Sequence, residues 1–571
     1  MYDDYGCSRR IRETGAVVTP QTTHPQTYAA FAAMDALDHL ERIARLDAAW
    51  ASIRAGDALA AGPPLQTSGS DVGAPNYDLI YAGGGLGLIH AAVMAKVYRR
   101  RVLLFDRGEV GSAHREWNIS RDELAALVEV GFCSWDDLAP VIMREYADGI
   151  VRFANAAGDP AVLHLPRVLN VALDAGGLLR LARRILEDHG GVVLDRRQFC
   201  GVRVHPTLPR VAVTCADAQG RHETHHAALL LDAMGSTSPL ALQRFAGQRP
   251  FAGVCPTVGT VAAGFASGDA PDEHSATLGD ILVTVDGAQG SRQYMWEGFP
   301  GRDDDLTVYL FYYEALGRRA PGDAPGLLDL FEDYFVQLPG YKRPGPHFRH
   351  QKPVYGYIPA RHALNGATPL LRGVLPVGDA AAQQSPLTFC GFGSHVRNLD
   401  RTTTLLHDAL RDDQTAPHQL AHVGAYQSNV ALNWVFSRFM EPWQRGDDVN
   451  RLQHDFLCVL ERLGEPLATR YFRDQMRWSD YHRMVLGMFA QRPTIVFDAW
   501  QVLGPRGIVR WVRDYLRYSA TAGAAHVAAR IGERGRAGFL AAAQRLAPAM
   551  TPRLRALVAE WRVMGWLTPY R

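Results

Sequence analysis

Four glycines, Gly83, Gly84, Gly85 and Gly87, lie between a short apolar segment and a segment with helical character. A turn without side chains lets backbone N–H groups approach a pyrophosphate, whose charge the N-terminus of the following helix stabilises. Asp106 ends a second apolar segment roughly twenty residues further on, where an acid is placed to hydrogen-bond a ribose hydroxyl. These residue types at this spacing therefore predict a dinucleotide site.

Two registers of the G-x-G-x-x-G pattern fit these glycines, and the sequence leaves both open. Counted from Gly83, the third glycine position falls on Leu88. Counted from Ala82, the three positions are Ala82, Gly84 and Gly87. A glycine-rich turn that holds no ligand is the alternative to both.

The segments around the turn are typical of alternating strands and helices. Residues 79–82 and 102–105 are short and apolar, as buried parallel strands are. Residues 89–99, between them, have helical character. A strand, a glycine turn, a helix and a second strand in this order predict the start of a Rossmann-type domain.

A second small-residue turn follows an apolar strand much later in the chain. Gly378 and Asp379 end that strand, and Gly391 and Gly393 open a helix. Two glycine-rich helix N-termini indicate a ligand with two negatively charged or carbonyl-bearing ends. A dinucleotide whose second half is a flavin needs that arrangement.

The loop after Asp106 carries side chains that can hydrogen-bond a phosphate or the edge of a flavin. They are Arg107, His114, Arg115 and Asn118. A solvated loop explains the same composition, and the sequence leaves the two interpretations open.

Length, charge and cysteine content narrow the class of protein. A chain of 571 residues is long enough for two or more domains, and its net charge of +1 argues against a dedicated nucleic-acid binder. The seven cysteines form no CxxC pair, so we predict a reducing compartment and no metal site. The polar start and the lack of a long apolar run predict a cytoplasmic protein.

Between residues 77 and 440 the chain resembles the FAD-binding pattern of the para-hydroxybenzoate-hydroxylase-type flavoproteins. This superfamily includes aromatic monooxygenases, geranylgeranyl reductases, lycopene cyclases and flavin-dependent halogenases. The features that carry the resemblance are the first glycine turn, Asp106, Gly378 with Asp379, and Gly391 with Gly393. The resemblance implies that Asp379 contacts the ribityl or pyrophosphate part of FAD, that the 391–393 backbone approaches the isoalloxazine, and that Arg115 lies near the phosphates.

The lycopene-cyclase-like branch is the most similar, through motifs within residues 114–120, 296–300 and 384–393. Lycopene cyclases place an acidic residue on the sheet above the flavin, and Glu297 matches that position. A carboxyl group in apolar aromatic surroundings has a raised pKa and can act as an acid. A carboxylate on the surface of a strand is the alternative.

Flavin-dependent halogenases are similar more distantly. They carry Trp-x-Trp-x-Ile-Pro where this chain has Met-Trp-Glu-Gly-Phe-Pro at 295–300, so both key tryptophan positions differ. They also use a lysine beyond the first nucleotide-binding unit. This chain has no lysine between Lys96 and Lys342, so halogenation would need Lys352 or a different solution.

The predicted fold is α/β, with a Rossmann-type FAD-binding domain, an inserted antiparallel-sheet substrate domain and a helical C-terminal region. Residues 26–58 read as one amphipathic helix before a linker at 61–76. The predicted regions are an N-terminal helical extension and linker (1–76), the discontinuous FAD-binding domain (77–240 and 355–412), the sheet domain (241–354) and the helical region (413–571).

The predicted function is that of an FAD-dependent oxidoreductase acting on a large apolar polyene or aromatic substrate, with a role in pigment biosynthesis as one expectation. A flavin-dependent halogenase or aromatic monooxygenase is one alternative, and a non-catalytic FAD- or lipid-binding protein is another. No second glycine-rich unit for NAD(P)H is present. Reduction would therefore use a transiently bound nicotinamide or a separate flavin reductase.

The C-terminal region suggests a further contact. From Gly504 on, twelve arginines stand against three acidic residues, which gives this region a charge of +9. One helical face carries Ile508, Trp511, Val512, Tyr515 and Leu516. A basic amphipathic helix with tryptophan is typical of peripheral membrane contact, here at the inner membrane surface, and an ordinary solvated face is the alternative.

Overall fold

The structure is a computed structural model with two large sheets, one small sheet and many helices. It confirms the predicted α/β class, the Rossmann-type unit and the helical C-terminal region. The residues that it describes are 20–56, 63–69, 72–113, 116–155, 158–245, 251–316, 325–360, 370–383, 391–443 and 448–567.

The strands are numbered in chain order within these described residues. They are β1 (Leu65–Thr67), β2 (Tyr77–Ala82), β3 (Val102–Phe105), β4 (Trp117–Ile119), β5 (Ile142–Glu145), β6 (Asp148–Phe153), β7 (Ala161–Pro166), β8 (Val171–Leu173), β9 (Val192–Leu194), β10 (Gln198–Val204), β11 (Val211–Ala216), β12 (His222–Asp232), β13 (Gly253–Phe265), β14 (Leu278–Val283), β15 (Met295–Pro300), β16 (Leu306–Phe311), β17 (Glu314–Ala315), β18 (Pro344–Ala360) and β19 (Val374–Pro376). Strands β4, β8 and β5 form the small sheet.

The α-helices are numbered in the same way. They are α1 (Pro20–Thr23), α2 (Pro25–Ala33), α3 (Asp38–Ala55), α4 (Leu86–Lys96), α5 (Arg121–Glu129), α6 (Trp135–Leu138), α7 (Ala175–Asp188), α8 (Pro239–Arg244), α9 (Leu327–Tyr341), α10 (Gly391–Arg397), α11 (Leu399–Arg411), α12 (Pro417–Leu420), α13 (Ser428–Leu432), α14 (Trp434–Arg438), α15 (Asp448–Leu463), α16 (Glu465–Phe472), α17 (Trp478–Gln491), α18 (Ile495–Arg530), α19 (Gly532–Leu546) and α20 (Thr551–Val563). Short 3-10 helices at 139–141, 235–237, 378–381 and 548–550 complete the helical segments of the described chain.

The first large sheet carries the predicted strand, turn, helix and strand. Its order is β1-β10-β11-β12-β2-β3-β9, with β19 beside the last residues of β12. Strands β12, β2, β3 and β9 run parallel, so the turns after them meet at one edge of the sheet. Helices α4 and α7 pack on one face of this sheet. Side chains alternate along each strand, so Leu79 and Tyr81 of β2 both point toward these helices.

The second large sheet has the order β17-β13-β16-β15-β14-β6-β7, with β18 also paired to β13. Strands from 253–360 form most of it. Strands β6 and β7, at 148–166, join through the parallel pair of β6 with β14. The second sheet therefore includes the β6–β7 hairpin, although the residues of this hairpin lie within the sequence range of the predicted FAD-binding domain.

Helices cover both faces of the second sheet. Helices α2, α3 and α9 pack on one face, where Arg54 of α3 forms a buried ion pair with Glu314 at 3.0 Å and Asp47 accepts a hydrogen bond from the Tyr357 hydroxyl at 2.7 Å. Helices α15, α16 and α17 pack on the opposite side. The helices of the N-terminal extension therefore form a layer that packs on this sheet.

Two predictions about the N-terminal region are wrong in part. The helix predicted over 26–58 is divided into α2 and α3, because Asp35 adopts a φ of 54°, which an α-helix does not allow. The predicted linker at 61–76 contains β1, which pairs in parallel with β10 and extends the first sheet.

The residues of the predicted amphipathic face in the C-terminal region are partly packed inward and partly exposed. Trp511 donates a hydrogen bond to the Tyr481 hydroxyl at 2.9 Å, and the Tyr515 hydroxyl lies 2.6 Å from a ring nitrogen of His482, so both rings pack inward. Val512 and Leu516 stay exposed. Among the described helices, none is both long enough and apolar enough to cross a bilayer.

Candidate functional site

One cavity of about 620 Å³ is lined by residues of both large sheets. Its walls come from the turns after β2, β3, β12 and β19, from β15, β16 and β18, and from the start of α10. The predicted site residues that line it are Gly83, Gly84, Gly85, Gly87, Asp106, Arg107, Glu297, Gly378, Asp379 and Gly391. Residues from three distant parts of the sequence therefore meet around one space.

The first glycine turn combines two packing positions with one open position. A Cβ on Gly83, whose φ is +113°, would lie 2.2 Å from the carbonyl oxygen of Ala233. A Cβ on Gly87 would lie 2.4 Å from the Cβ of Ala233, so this glycine lets α4 pack closely beside β12. A Cβ on Gly85, immediately before α4, would meet nothing within 4 Å.

One of these contacts bears on the third position of the pattern. The third glycine of G-x-G-x-x-G serves close packing of the helix on the sheet. Gly87 does this, whereas Leu88 is a buried core residue of α4. The packing role therefore lies at Gly87, as in the register from Ala82, whereas the turn position with positive φ is Gly83, as in the other register.

Asp106 holds the first turn against the loop that follows β3. Its carboxylate accepts hydrogen bonds from the backbone N–H groups of Gly84 and Gly108, each at 2.7 Å. A carboxylate has about four lone-pair sites, so Asp106 can accept further hydrogen bonds from a ligand in the cavity. Its position at the cavity wall fits the predicted contact with a ribose.

The second turn divides its predicted residues between the cavity and the core. Gly378 adopts a φ of +62° at the start of a 3-10 helix, and Gly378, Asp379 and Gly391 line the cavity. Gly393 is not among the lining residues, and a Cβ there would lie 2.9 Å from a carboxylate oxygen of Glu123. Gly393 thus makes room for Glu123, which caps α5.

That capping carboxylate belongs to a buried charge network. Glu123 accepts a hydrogen bond from the Ser120 backbone, which confirms the capping box implied by Ser120 and Glu123. It also pairs with Arg397 of α10, which reaches Asp474 at 3.4 Å. The network joins α5, α10 and the helical region, and so fixes the start of α10 against the cavity.

Glu297 lies in the middle of β15 and lines the cavity with 7% of its surface exposed. One of its carboxyl oxygens is buried and has no hydrogen-bond partner among the described residues. Burial raises the pKa of the Glu297 carboxyl well above its ordinary value, because the charged form loses hydration. Glu297 is therefore a buried group that favours its neutral, proton-carrying form.

The only lysine available to the halogenase alternative lies outside the cavity wall. Lys352 of β18 is 43% exposed and forms an ion pair with Glu116. Glu116 lines the cavity, but none of the described lining residues is a lysine. His114 and Arg115, which were predicted to hydrogen-bond a phosphate or the flavin edge, lie outside the described residues.

Several wall residues were not predicted from the sequence. Trp117 and Phe392 stack with their ring centroids 4.5 Å apart, and both line the cavity. Arg197 also lines it, and its backbone N–H donates to the Asp106 carbonyl at 2.7 Å. Phe392 could have been predicted as a wall residue, because it lies between the predicted site residues Gly391 and Gly393. Nothing in the sequence indicates that Arg197 lies at the cavity.

A buried acid lies close to the site without lining it. Asp232 ends β12 and accepts a hydrogen bond from the Ser238 hydroxyl at 2.7 Å. Burial raises the pKa of Asp232 to about 6. Gly235, in the turn that follows, does line the cavity, so this turn forms part of its wall.

Known structures share this fold, although no family model and no curated protein matches the chain. A geranylgeranyl bacteriochlorophyll reductase-like protein from Thermoplasma acidophilum aligns with a TM-score of 0.50 at 15% identity, over 75% of this chain and 100% of that one. The halogenase PltM aligns with a TM-score of 0.51 at 15% identity, over 86% and 96%. PltM in complex with phloroglucinol and FAD aligns with a TM-score of 0.50. At these identities the likeness concerns the fold alone.

Proposed function

We propose that this protein is an FAD-dependent enzyme in which Glu297 acts as an acid on an apolar substrate beside the flavin. The observation that carries the proposal is a single cavity lined both by the glycine turns and by a buried, proton-carrying carboxyl group. Buried carboxyl groups with raised pKa values occur where an enzyme must hold a proton at neutral pH.

The residues of the cavity fit FAD. The open position at Gly85 and the N-terminus of α4 suit a pyrophosphate, and Asp106 suits the adenosine ribose. The turn at Gly378 and Asp379 and the start of α10 at Gly391 suit the flavin half. When bound, FAD supplies one- and two-electron redox chemistry.

Glu297 would hold a proton at its carboxyl group and donate it to a double bond of the substrate. The carboxylate formed in this way would then take back a proton from a neighbouring carbon, so no net oxidation would occur in that step. Apolar and aromatic wall residues such as Phe299, Tyr309 and Ile358 reduce the access of water to the group. These surroundings suit a polyene or aromatic substrate.

The test begins with the purified protein and added FAD. We expect a flavin spectrum that bleaches on anaerobic reduction, and conversion of an acyclic polyene that is lost in Glu297→Gln while FAD binding is kept. Glu116→Gln is the matched control, because Glu116 is a second carboxylate of the same wall. A chain that cannot be loaded with FAD would refute the cofactor proposal, and activity retained in Glu297→Gln would refute the role of Glu297.

Halogenation or hydroxylation of an aromatic ring is the alternative chemistry on the same cofactor. It would appear as a product that depends on oxygen, and on halide for halogenation. A halogenase that used Lys352 would have to release it from Glu116, so the present pairing favours the acid chemistry. A separate flavin reductase remains the proposed partner for any reaction that consumes electrons, and FAD or lipid binding without turnover would support a non-catalytic role.

We also propose that α18 contacts an anionic lipid surface. Apolar side chains at three- and four-residue spacing face outward along it, and exposed arginines such as Arg506 and Arg530 flank them. The helix is kinked at Gly504, and beyond the kink its large exposed apolar residues are Val509, Val512, Leu516 and Val527, with Ile531 directly after its end. The charge of +9 after Gly504 would add attraction to anionic headgroups.

A further inference from the structure

Three potential metal ligands meet on the first sheet, apart from the glycine turns. Cys215 of β11 lies directly across the strand ladder from Glu223 of β12, and His225 lies two residues further along β12 on the same face. The thiol sulfur, a carboxylate oxygen and a ring nitrogen all lie within 4.8 Å of one another.

Two of the separations between these side chains approach the ligand–ligand distances of a tetrahedral site. The Cys215 sulfur is 3.6 Å from Oε1 of Glu223, and Nε2 of His225 is 3.7 Å from Oε2 of the same carboxylate. Ligands held at about 2.0–2.3 Å from a tetrahedral zinc ion are about 3.3–3.6 Å apart. These two distances end on different oxygens of Glu223, and the three donor atoms lie within 4.8 Å of one another, so side-chain rotations would be needed to bring them around one ion.

The cluster also has unused coordinating capacity. Nε2 of His225 is buried and has no hydrogen-bond partner among the described residues. The same nitrogen lies 3.7 Å from Oε2 of Glu223, an ion-pair distance that is too long for a hydrogen bond, so its lone pair can be given to a metal ion.

We propose that Cys215, Glu223 and His225 bind one zinc ion, with the fourth position left to water. A mixture of thiolate, imidazole and carboxylate ligands favours zinc over magnesium or calcium, which prefer oxygen ligands alone. This proposal contradicts the prediction from the sequence that the chain has no metal site. That prediction rested on CxxC spacing, which a site assembled across two antiparallel strands does not need.

Arg197 links this site to the cavity. Its guanidinium pairs with Oε1 of Glu223, so Oε2 can bind the ion while Arg197 orients the carboxylate. Arg197 also lines the cavity, and its backbone donates to Asp106. The ion would thus lie one side chain away from the proposed ribose contact.

Zinc binding to the full-length protein tests the proposal. The chain is freed of metal with a chelator and titrated with zinc chloride by calorimetry, with bound metal counted by atomic emission. We expect one zinc per chain, and affinity about 100-fold lower or worse in Cys215→Ser and in His225→Gln. Cobalt in place of zinc should give an intense sulfur-to-cobalt absorption band that Cys215→Ser abolishes.

Two cysteine variants serve as controls. Cys200→Ser removes the exposed cysteine of the neighbouring strand, and Cys458→Ser removes a second Cys–His pair, whose sulfur lies 3.9 Å from a ring nitrogen of His454. Both should bind zinc as the wild type does. Circular dichroism of the metal-free variants shows that the fold is kept. Absence of stoichiometric binding by the folded wild type, or binding that survives Cys215→Ser and His225→Gln together, overturns the proposal.

Discussion

Replacing single glycines of the first turn by alanine should separate its packing positions from its ligand position. Gly85→Ala places a methyl group in open space at the start of α4, where the pyrophosphate is proposed to lie. We expect the cofactor-free protein to keep its fold, because this methyl group meets nothing within 4 Å. Affinity for FAD should fall at least about tenfold, which corresponds to about 1.4 kcal/mol.

Gly83→Ala should have the opposite profile. Its Cβ would lie 2.2 Å from a backbone oxygen, and overpacking of this kind costs about 1–3 kcal/mol. The φ of +113° adds about 1–2 kcal/mol for any residue with a Cβ. The cofactor-free protein should therefore lose about 2–5 kcal/mol, and its melting temperature should fall by about 2–4 °C, because the entropy of unfolding scales with chain length.

The assay is a flavin fluorescence titration of each variant beside thermal unfolding without FAD. Gly523→Ala is the control, because its Cβ would also meet nothing within 4 Å but it lies on α18, far along the chain from the glycine turn. The reasoning fails if Gly85→Ala binds FAD as tightly as the wild type. It also fails if Gly83→Ala melts at the wild-type temperature.

Three further predictions follow from the same structure. Burial raises the pKa of Asp232 from 3.8 to about 6, so the folded state should become less stable as pH rises from about 4 to 6 and this carboxyl group ionises. Asp232→Asn should remove about 3 kcal/mol of this pH dependence of the free energy of unfolding. Urea unfolding at a series of pH values measures the difference. Glu297→Gln should leave the FAD dissociation constant within about twofold while abolishing polyene conversion, checked by titration and chromatography. Leu516→Glu should reduce sedimentation with anionic vesicles at least about fivefold but leave zwitterionic vesicles unaffected, since it places a charge in the exposed stripe of α18.

The sequence was sufficient to predict the local units of the site. Gly83, Gly87 and Asp106 lie within about two dozen residues, so the turn itself could be predicted from neighbouring residues, whereas the sequence left open which glycine packs and which faces a ligand. The burial of Glu297 also agrees with the apolar and aromatic residues beside it in β15. The second turn was predicted in place, but Gly393 proved to pack against Glu123, a contact across some 270 residues that no local pattern shows.

Contacts that depend on strand register were beyond the sequence. The parallel pairing of β6 with β14 brings 148–166 into the second sheet, and nothing in the apolar pattern of β6 distinguishes one sheet from the other. Cys215 and His225 meet only because the β11–β12 hairpin sets Cys215 opposite Glu223. A shift of one residue would move these side chains to opposite faces.

The pairing of β6 with β14 also has a consequence for the order of events during synthesis. The β6–β7 hairpin ends at Pro166, whereas β14 begins at Leu278. At roughly 5–20 residues per second, the ribosome needs about 6–20 s to make the intervening chain. Helices α15 and α16, which cover β7, emerge later still. A nascent chain therefore carries an apolar hairpin with an unpaired edge for many seconds, which makes it a candidate client for ribosome-associated chaperones.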